Sequence, residues 1–532
     1  MLFNSLPFLL LFLPVAFLGF HLSSRAGARC GAAWLVAISL LFYFWWNPPY
    51  VFLLLGSITV NYAFGSIIRR LEGKGQLPGV ALSFGVAFNL LLLCYYKYFF
   101  PLLHGLEGFG LHFPAHPSSV ILPLGISFFT FTQIGYLVDC KDGISRGHGL
   151  LNYSLFVTFF PHLIAGPILH HKEVMPQFRE PATYRLNLGN IRLGLSIFLL
   201  GLAKKTLIAD VIAPVADKAF QSPEMLSAIS SWHGVLCYSL QLYFDFSGYS
   251  EMAIGLALLF NIRFPANFDS PYKSLSIIEF WQRWHISLTR YITLYIYNPI
   301  ALRVTRSRQS RGLPTSRKAL KTPSGFLPMV MYPTFVTMLL AGIWHGAGVQ
   351  FIVFGLLHAV YVTVNHIFRL WCHTGRHTAG AAPPARKWYV DACKVLITYL
   401  AVLIAQIFFR ASSLAGAIAM LKAMMALNSV PVMANWRLDF GLEKGFVPLH
   451  ILASIYTGSF WAVIILFVLV WSAPNILQIF SAYNPALTEP KTPWSSPLRW
   501  QPNWGWSIAL GLVGGIAFLA VTGTTVFLYF QF

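Results

Sequence analysis

Two of the three places where this chain has a histidine directly after a tryptophan lie in stretches of unusual composition. Residues 279–288 read EFWQRWHISL, and residues 340–348 read LAGIWHGAG. Polar side chains are costly to place in hydrocarbon, which makes the first stretch anomalous in so apolar a chain. Neutral imidazole is also well suited to take a proton from a hydroxyl near pH 7. We interpret His285 and His345 as candidates for proton transfer; alternatively, each only anchors its helix at a membrane interface.

The first stretch has the residue spacing of a helix with an aromatic face. Six residues share that face at helical spacing, namely Phe280, Trp281, Trp284, His285, Leu288 and Ile292. Four polar residues lie mostly away from it, namely Glu279, Gln282, Arg283 and Arg290. The pattern predicts a helix through residues 279–292, at the membrane interface or inside the protein, with His285 on its aromatic face.

The composition excludes an ordinary soluble protein. Of the 532 residues, 56% are hydrophobic and 10% are charged. Apolar runs of roughly 18–25 residues recur, each long enough to cross a bilayer as a helix. Lysine and arginine number 37 against 17 acidic residues. Because no long soluble segment is present, we interpret this excess as the charge that holds cytoplasmic loops against the membrane, and we expect no nucleic-acid partner.

The apolar runs divide into about eleven to thirteen hydrophobic segments, some of them not full crossings. No basic residue precedes the first run, residues 2–22, whereas Arg25 and Arg29 follow it. This order predicts an uncleaved first helix whose N-terminus lies outside the cytoplasm. Residues 303–321 carry seven basic residues and no acid, which predicts a solvated cytoplasmic loop.

Two further segments are irregular for membrane spans. Residues 155–169 contain two prolines and one glycine together with His162, and this composition predicts a broken, re-entrant or interfacial segment. Residues 232–260 are too long for one upright crossing and carry Asp245 and Glu251. These carboxylates either serve the chemistry or are structural groups satisfied by tyrosine hydroxyls or arginine. A glycine beside them, at position 248, would let another backbone approach closely.

Several kinds of chemistry have no motif here. The six cysteines are scattered without metal-ligand spacing, so neither a disulfide framework nor a metal site is predicted. The chain has no P-loop, dinucleotide fingerprint or nucleophile elbow. It also has no internal repeat of the kind found in many transporters. A transporter or permease of acyl groups or lipids, without chemistry of its own, stays open as the rival class.

Five motifs together resemble the membrane-bound O-acyltransferases, and most closely their bacterial alginate O-acetylase branch. The motifs are FFPHLIAGPI at 159–168, YFDFSGYSEMAIG at 243–255, NFDSPY at 267–272, FWQRWHISLTRYI at 280–292 and GIWHGAG at 342–348. The resemblance implies an all-α polytopic membrane protein, a bundle of helices with short intramembrane helices around a tunnel. Residues 1–410 would form the acyltransferase core and residues 411–532 a membrane extension.

The resemblance also implies roles for individual residues. His345 matches the catalytic histidine of the family, acting as general base on the acceptor hydroxyl or as a relay that carries the acetyl group. His285 matches the second histidine and would orient the thioester carbonyl or stabilise its oxyanion. The expected supporting residues are Trp344, Trp284, Arg283, Asp245, Tyr249 and His162.

The implied reaction moves acetyl groups from a cytoplasmic donor, acetyl-CoA, across the bacterial inner membrane. The expected acceptor is an exopolysaccharide such as alginate, with cellulose or peptidoglycan as alternatives. The expected partners are membrane lipid and a periplasmic acetyltransferase of the SGNH type, because this chain has no soluble domain to complete the transfer. No bound cofactor is expected.

Overall fold

The computed structural model describes residues 2–107, 111, 121–145, 147, 149–372, 387–428, 430, 460–488, 498–521 and 528. Throughout these residues the regular structure is helical. The only β-type pairing among them is an isolated antiparallel bridge between Phe268 and Trp284.

The α-helices vary from one turn to 32 residues. Those of the first half are α1 (Leu13–Arg25), α2 (Ala28–Phe44), α3 (Pro49–Gly73), α4 (Gly79–Cys94), α5 (Phe100–Glu107), α6 (Ile126–Lys141), α7 (Leu150–Thr158), α8 (Phe160–Leu163), α9 (His171–Val174), α10 (Leu188–Ala203), α11 (Asp210–Gln221) and α12 (Ala228–Leu259). Those of the second half are α13 (Ile277–Trp281), α14 (Ile286–Ile292), α15 (Asn298–Ser310), α16 (Pro323–Phe326), α17 (Tyr332–His345), α18 (Val349–Cys372), α19 (Trp388–Arg410), α20 (Leu414–Met424), α21 (Phe460–Ser472), α22 (Ile476–Ile479) and α23 (Trp504–Leu519).

Wider π-helical turns extend or join several of these helices. They are Phe8–Phe12, Tyr95–Phe99, Lys204–Ala209, Thr293–Tyr297 and Leu327–Met331. Short 3₁₀ turns are Gln177–Arg179, Pro181–Tyr184, Pro223–Met225, Pro271–Lys273, Ala319–Lys321 and Ser481–Tyr483.

Within the described residues, six helical segments are long and apolar enough to cross a bilayer. They are Phe8–Arg25, Pro49–Gly73, Gly79–Glu107, Pro323–His345, Val349–Trp371 and Trp388–Arg410. Shorter apolar helices are Ala28–Phe44, Leu414–Met424, Trp461–Ser472 and Trp504–Leu519. The chain is therefore an all-α, multi-pass membrane protein, as predicted.

The helices form two compact units, which interleave along the chain. The first unit comprises Met1–Ile208, Phe244–Ala266 and Asn475–Phe532. Its helix pairs include α1 with α2, α10 with α23, and α6 with both α3 and α4. Between α3 and α4 a buried amide pair spans the apolar interior, where Asn89 Nδ2 donates to Asn61 Oδ1 at 2.6 Å.

The second unit comprises Ala209–Tyr243 and Asn267–Pro474. Helix α18 packs along α17 on one side and α19 on another, and the short α13 packs against both α18 and α19. Gly342 permits the close approach of α17 and α18, since a Cβ atom there would lie 2.4 Å from the carbonyl oxygen of Phe351. The predicted boundary at residue 410 stays a prediction, and part of the 411–532 extension lies outside the described residues.

The predictions for the irregular segments have mixed outcomes. Helix α7 ends just before Phe159 and the chain continues as the single turn α8, which confirms the break within residues 155–169. Helix α12 is continuous over 32 residues, about 48 Å at 1.5 Å per residue, and so exceeds the ~30 Å of hydrocarbon. The predicted loop at 303–321 is wrong in its first part, because α15 remains helical as far as Ser310.

The predicted helix through residues 279–292 is also wrong. Helix α13 ends at Trp281 and α14 begins at Ile286. Between them His285 has φ 43° and ψ 54°, in the left-handed region that ordinary residues rarely adopt. The helical spacing of the aromatic residues is real, but the backbone between the two helices takes its partners from an earlier segment of the chain.

Candidate active site

The NFDSPY segment, residues 267–272, holds the interrupted stretch in place. The amide of Asp269 donates to the carbonyl of Arg283 at 3.0 Å, and the amide of Ile286 donates to the carbonyl of Asn267 at 3.0 Å. These bonds replace the ladder that a continuous helix would make. They explain why the chain turns at His285, whose strained backbone is stabilised by its surroundings.

The side chain of Asn267 determines which nitrogen of His285 carries a proton. Asn267 Oδ1 accepts from the backbone amide of Ser287 at 3.3 Å and from Ser287 Oγ at 2.7 Å. These donors identify the atom as the amide oxygen. The same oxygen lies 3.2 Å from His285 Nδ1. Since an amide oxygen only accepts, Nδ1 carries the hydrogen, and in neutral imidazole the lone pair is then on Nε2.

The electrostatic surroundings keep His285 neutral. The residue is buried, with 1% of its surface exposed, and burial lowers the pKa of its imidazole to about 3. At physiological pH the ring is thus a neutral hydrogen-bond acceptor at Nε2 and not an imidazolium. This tautomer accepts a hydrogen bond at Nε2, and it can take up a full proton only when a developing negative charge beside it offsets the low pKa. That behaviour differs from the predicted oxyanion role, which needs an N–H at Nε2.

Arg283 and Trp284 support this turn and lie beside the histidine in sequence. Arg283 is buried, and its guanidinium binds the carboxylate of Glu279 at 2.7 Å and the carbonyl of Asp269 at 3.2 Å. Trp284 stacks on Phe280 with ring centroids 5.6 Å apart and on Tyr272 at 6.1 Å. These contacts tie α13 to the NFDSPY segment, so both residues position the site in the structure.

His345 is the last residue of α17 and lies in an aromatic pocket. Only 5% of its surface is exposed. The ring contacts Trp344 at 4.8 Å, Phe354 at 5.8 Å and Phe409 at 4.9 Å between centroids, each edge to face. Phe354 belongs to α18 and Phe409 to α19, so three helices of the second unit converge on this imidazole.

A chain of ring contacts joins the two histidine stretches. Trp281, four residues before His285, donates from Nε1 to His358 Nδ1 at 3.2 Å. The ring of His358 contacts Phe354 at 4.7 Å, and Phe354 contacts His345. Both predicted catalytic histidines are therefore buried in one compact unit and linked through α18 by packed side chains.

Three residues outside the predicted set also contribute to the packing around the two histidines. Asn267 holds the proton of His285, and His358 connects α13 to the pocket of His345. Tyr272 is a buried hub whose hydroxyl donates to the carbonyl of Ser239 at 2.8 Å and accepts from Gln406 Nε2 at 3.1 Å. Asn267 and Tyr272 open and close the NFDSPY motif, so that motif was the available signal.

The other predicted supporting residues lie in the first unit. The carboxylate of Asp245 binds Lys205 Nζ at 2.5 Å and accepts from the backbone amide of Leu528 at 3.2 Å. Glu251 binds Lys204 Nζ at 2.7 Å. Within the described residues, these carboxylates thus bind lysines and a backbone amide.

Tyr249 and His162 are buried in the first unit with well-defined neighbours. The ring of Tyr249 stacks on Phe3 with centroids 4.6 Å apart. His162 Nε2 donates to the carbonyl of Phe156 at 2.8 Å, and burial lowers the pKa of this histidine to about 4. Gly248, near Tyr249, would bring a Cβ atom within 2.8 Å of the carbonyl of Gly201, which confirms the predicted close approach.

Comparison with known proteins agrees with this architecture. A model of the membrane-bound O-acyltransferase family matches residues 120–315, a range that includes His285. A peptidoglycan O-acetyltransferase of Helicobacter pylori is 38% identical over 81% of both chains. A probable alginate O-acetylase of Pseudomonas aeruginosa is 33% identical over 100% of both chains. A teichoic acid D-alanyltransferase of Bacillus subtilis is 28% identical over 48% of this chain and 62% of its own.

The chain belongs to the membrane-bound O-acyltransferase family, in its alginate O-acetylase branch. It is accordingly an O-acyltransferase, and the transporter alternative gives way to an enzyme. The matched family range ends before His345, so the role of that histidine rests on the GIWHGAG motif and on its surroundings.

Proposed function

We propose that this enzyme takes acetyl groups from acetyl-CoA on the cytoplasmic side of the bacterial inner membrane and delivers them for O-acetylation of a polysaccharide outside. Two kinds of relative support an acetyl donor, since their names are peptidoglycan O-acetyltransferase and alginate O-acetylase. The proposal rests on the placement of two buried histidines in one unit. In His285 the imidazole hydrogen is on Nδ1, so Nε2 carries the lone pair.

The first acceptor we propose is an exopolysaccharide such as alginate. The similarity to a probable alginate O-acetylase extends over the whole of both chains. Peptidoglycan is the second candidate, because the peptidoglycan O-acetyltransferase of Helicobacter pylori is more nearly identical in sequence, over a shorter part of the chain. A periplasmic acetyltransferase of the SGNH type would complete the transfer to either polymer. The positions of Arg25 and Arg29 after the first apolar run support an N-terminus outside the cytoplasm.

Two routes are consistent with the chemistry of His345. In the direct route its imidazole takes the proton of the acceptor hydroxyl while the hydroxyl oxygen attacks the thioester carbonyl and the thiolate of CoA leaves. In the relay route an imidazole nitrogen attacks first, CoA leaves, and an acetyl-histidine forms. The acceptor oxygen then attacks that acetyl group, the C–N bond breaks, and the imidazole is restored.

The proton position on His285 suits the relay route. When His345 carries the acetyl group, another base must accept the proton of the incoming hydroxyl. Neutral His285, with its lone pair on Nε2, can accept it in the transition state, where the developing oxyanion offsets the effect of burial on its pKa. In this route His285→Ala would slow the second step and let acetyl-His345 accumulate, detectable by mass spectrometry of the purified protein. In the direct route the same variant would contain no acetyl-histidine.

The proposed function is tested by O-acetyl content in a deletion strain complemented with variants of the full chain. Secreted polysaccharide and purified peptidoglycan are analysed separately by NMR. Wild type should restore acetylation of one polymer, and His345→Gln should not. His366→Ala, which replaces a half-buried histidine of the same unit, is the matched control and should restore it. All variants are compared at equal abundance in the membrane.

If His345→Gln restored acetylation, His345 would have no catalytic role. If wild type restored acetyl groups on peptidoglycan alone, the acceptor would be peptidoglycan and not an exopolysaccharide. If neither polymer changed its acetyl content, the proposed polysaccharide acceptor would be wrong although the chain would remain an O-acyltransferase.

A further inference from the structure

We propose that Asp139, His170 and His171 bind one divalent transition-metal ion, for which Zn²⁺ is the best match. The three residues lie in the first unit, whereas the two catalytic histidines lie in the second. Each offers one ligand atom, and these atoms all lie within 4.8 Å of one another. Two imidazoles and one carboxylate form a ligand set used by zinc and by other first-row transition metals.

The distances fit coordination of a small ion. Asp139 Oδ2 lies 3.2 Å from His170 Nε2 and 3.1 Å from His171 Nδ1. Ligand atoms held at about 2.0–2.2 Å from a tetrahedral zinc ion are roughly 3.3–3.5 Å from each other. These two separations are slightly shorter, and the two histidine nitrogens lie within 4.8 Å of each other, so a small movement of the side chains would admit the ion. Water or another group would provide the fourth ligand.

Burial adds an electrostatic argument for a cation. Asp139 is 4% exposed, His170 is 8% exposed and His171 is 2% exposed. A buried carboxylate is costly unless it is compensated. A cation held between the three side chains would compensate the charge of the buried carboxylate directly. Hydrogen bonds from the two imidazoles to the carboxylate alone are the competing explanation of the same geometry.

The surrounding structure holds the ligands in place. The carbonyl of Asp139 accepts from the amides of Ile144 and Ser145 at 2.9 and 3.1 Å, which closes a tight turn after α6. The ring of His171 meets Tyr136 edge to face at 5.7 Å. Such packing fixes ligand orientation before a metal binds, as second-shell contacts do in known metal sites.

A metal here would join two distant points of the chain. Asp139 lies in the last turn of α6, and His171 is the first residue of α9. The ion would close the intervening segment, which includes the buried, broken stretch at residues 155–169. We infer a structural role, in which metal binding stabilises the fold of the first unit and does not take part in acyl transfer.

The test uses the full-length protein in detergent, purified through an affinity tag that contains no histidine. Metal-depleted protein is titrated with Zn²⁺, and bound metal is measured by mass spectrometry after removal of free ions. Wild type should bind about one equivalent at this site, and His171→Ala and Asp139→Asn should each lose it. Co²⁺ should give visible d–d absorption bands in wild type that both variants lack.

The matched control is His104→Ala. His104 also faces a carboxylate, Glu107, at 3.2 Å, but both side chains are about one-third exposed or more. This variant should bind as much metal as wild type. Thermal unfolding gives a second readout, because a ligand that binds only the folded state at 100 times its Kd shifts the folding equilibrium roughly a hundredfold. Zn²⁺ should raise Tm in wild type and in His104→Ala but not in Asp139→Asn.

Two results would overturn the proposal. The first is wild-type protein that binds no Zn²⁺ or Co²⁺ at micromolar concentrations, which would leave the hydrogen-bonded carboxylate as the explanation. The second is equal binding by wild type and by the near-isosteric Asp139→Asn, which would place the ion elsewhere. Neither readout depends on acetyl transfer, so failure here leaves the proposed function unaffected.

Discussion

Replacement of Asn267 by alanine should impair catalysis through the proton it holds on His285. The amide oxygen of Asn267 receives the Nδ1 hydrogen of His285 at 3.2 Å and the hydroxyl of Ser287 at 2.7 Å. Without that oxygen, the imidazole proton can move to Nε2, and the nitrogen that should accept the substrate proton would carry a hydrogen instead. The variant thereby tests the tautomer and not merely the presence of the ring.

The size of the effect follows from the burial of the donor. A buried donor that loses its acceptor costs about 1–3 kcal/mol. This free energy now favours the Nδ1–H tautomer, and its loss would lower the ratio of the Nδ1–H to the Nε2–H tautomer by a factor of about 5 to 150. Because the Nδ1–H tautomer is nearly fully populated in wild type, its population would fall to about one half where the two tautomers are otherwise equal, and Asn267→Ala should reduce the acetylation rate about twofold. A change in pH should not rescue it, because the pKa of His285 is lowered to about 3 by burial and the ring stays neutral.

Ser287→Ala is the matched control, because it removes one hydrogen bond to Asn267 and keeps the bond to His285. It should leave the rate close to that of wild type, because Asn267 still accepts the Nδ1 hydrogen of His285. Initial rates of polysaccharide acetylation are measured in cells with equal amounts of each variant in the membrane. Wild-type rates in Asn267→Ala, or equal losses in the two variants, would refute the assignment of the proton to Nδ1.

Two further predictions concern stability. As pH falls, the unfolded chain protonates His285 near its ordinary pKa of about 6.5, whereas the folded protein does not until about pH 3. This residue should therefore lower stability by about 2 kcal/mol between pH 7 and pH 5. His285→Asn should reduce the fall in Tm over that range, and an unchanged fall would contradict the burial argument. Asp245→Asn removes the carboxylate that faces buried Lys205, at a cost of about 3–5 kcal/mol, and should sharply reduce the protein in the membrane. The same change at exposed Asp142 should leave its amount nearly normal, and equal amounts of both variants would refute this prediction.

Hydropathy alone predicted the class of fold, because the cost of unsatisfied backbone groups in lipid leaves apolar segments little choice but a helix. The prolines and the glycine of residues 155–169 predicted a break within that segment, and the length of the apolar run at 232–260 predicted a segment longer than one upright crossing. The prediction failed between residues 279 and 292, where the helical spacing of aromatic side chains was correct. The turn at His285 depends on hydrogen bonds to residues 267 and 269, and a local pattern contains no information about such pairing.

The sequence predicted the main histidines of the candidate site, but it did not predict the contacts between the residues of that site. His285 and His345 were selected because each follows a tryptophan in an apolar chain, where a polar side chain is costly unless it has a structural or chemical role. The roles of Asn267 and His358 appear only when separate segments are brought together. The cluster at Asp139 was missed for the same reason, because its carboxylate lies 31 residues before the nearer histidine and matches no familiar metal-ligand spacing.

The interleaving of the two units has a consequence for biosynthesis. A membrane protein is inserted while the ribosome is still making it, and Lys205 is already present when Asp245 follows it into the bilayer. That carboxylate can thus be neutralised early. The amide of Leu528, its other partner, is made 283 residues later, after the whole of the second unit. The first unit therefore stays incomplete until its last segment, residues 475–532, has been made, and until then the charge of Asp245 is balanced by Lys205.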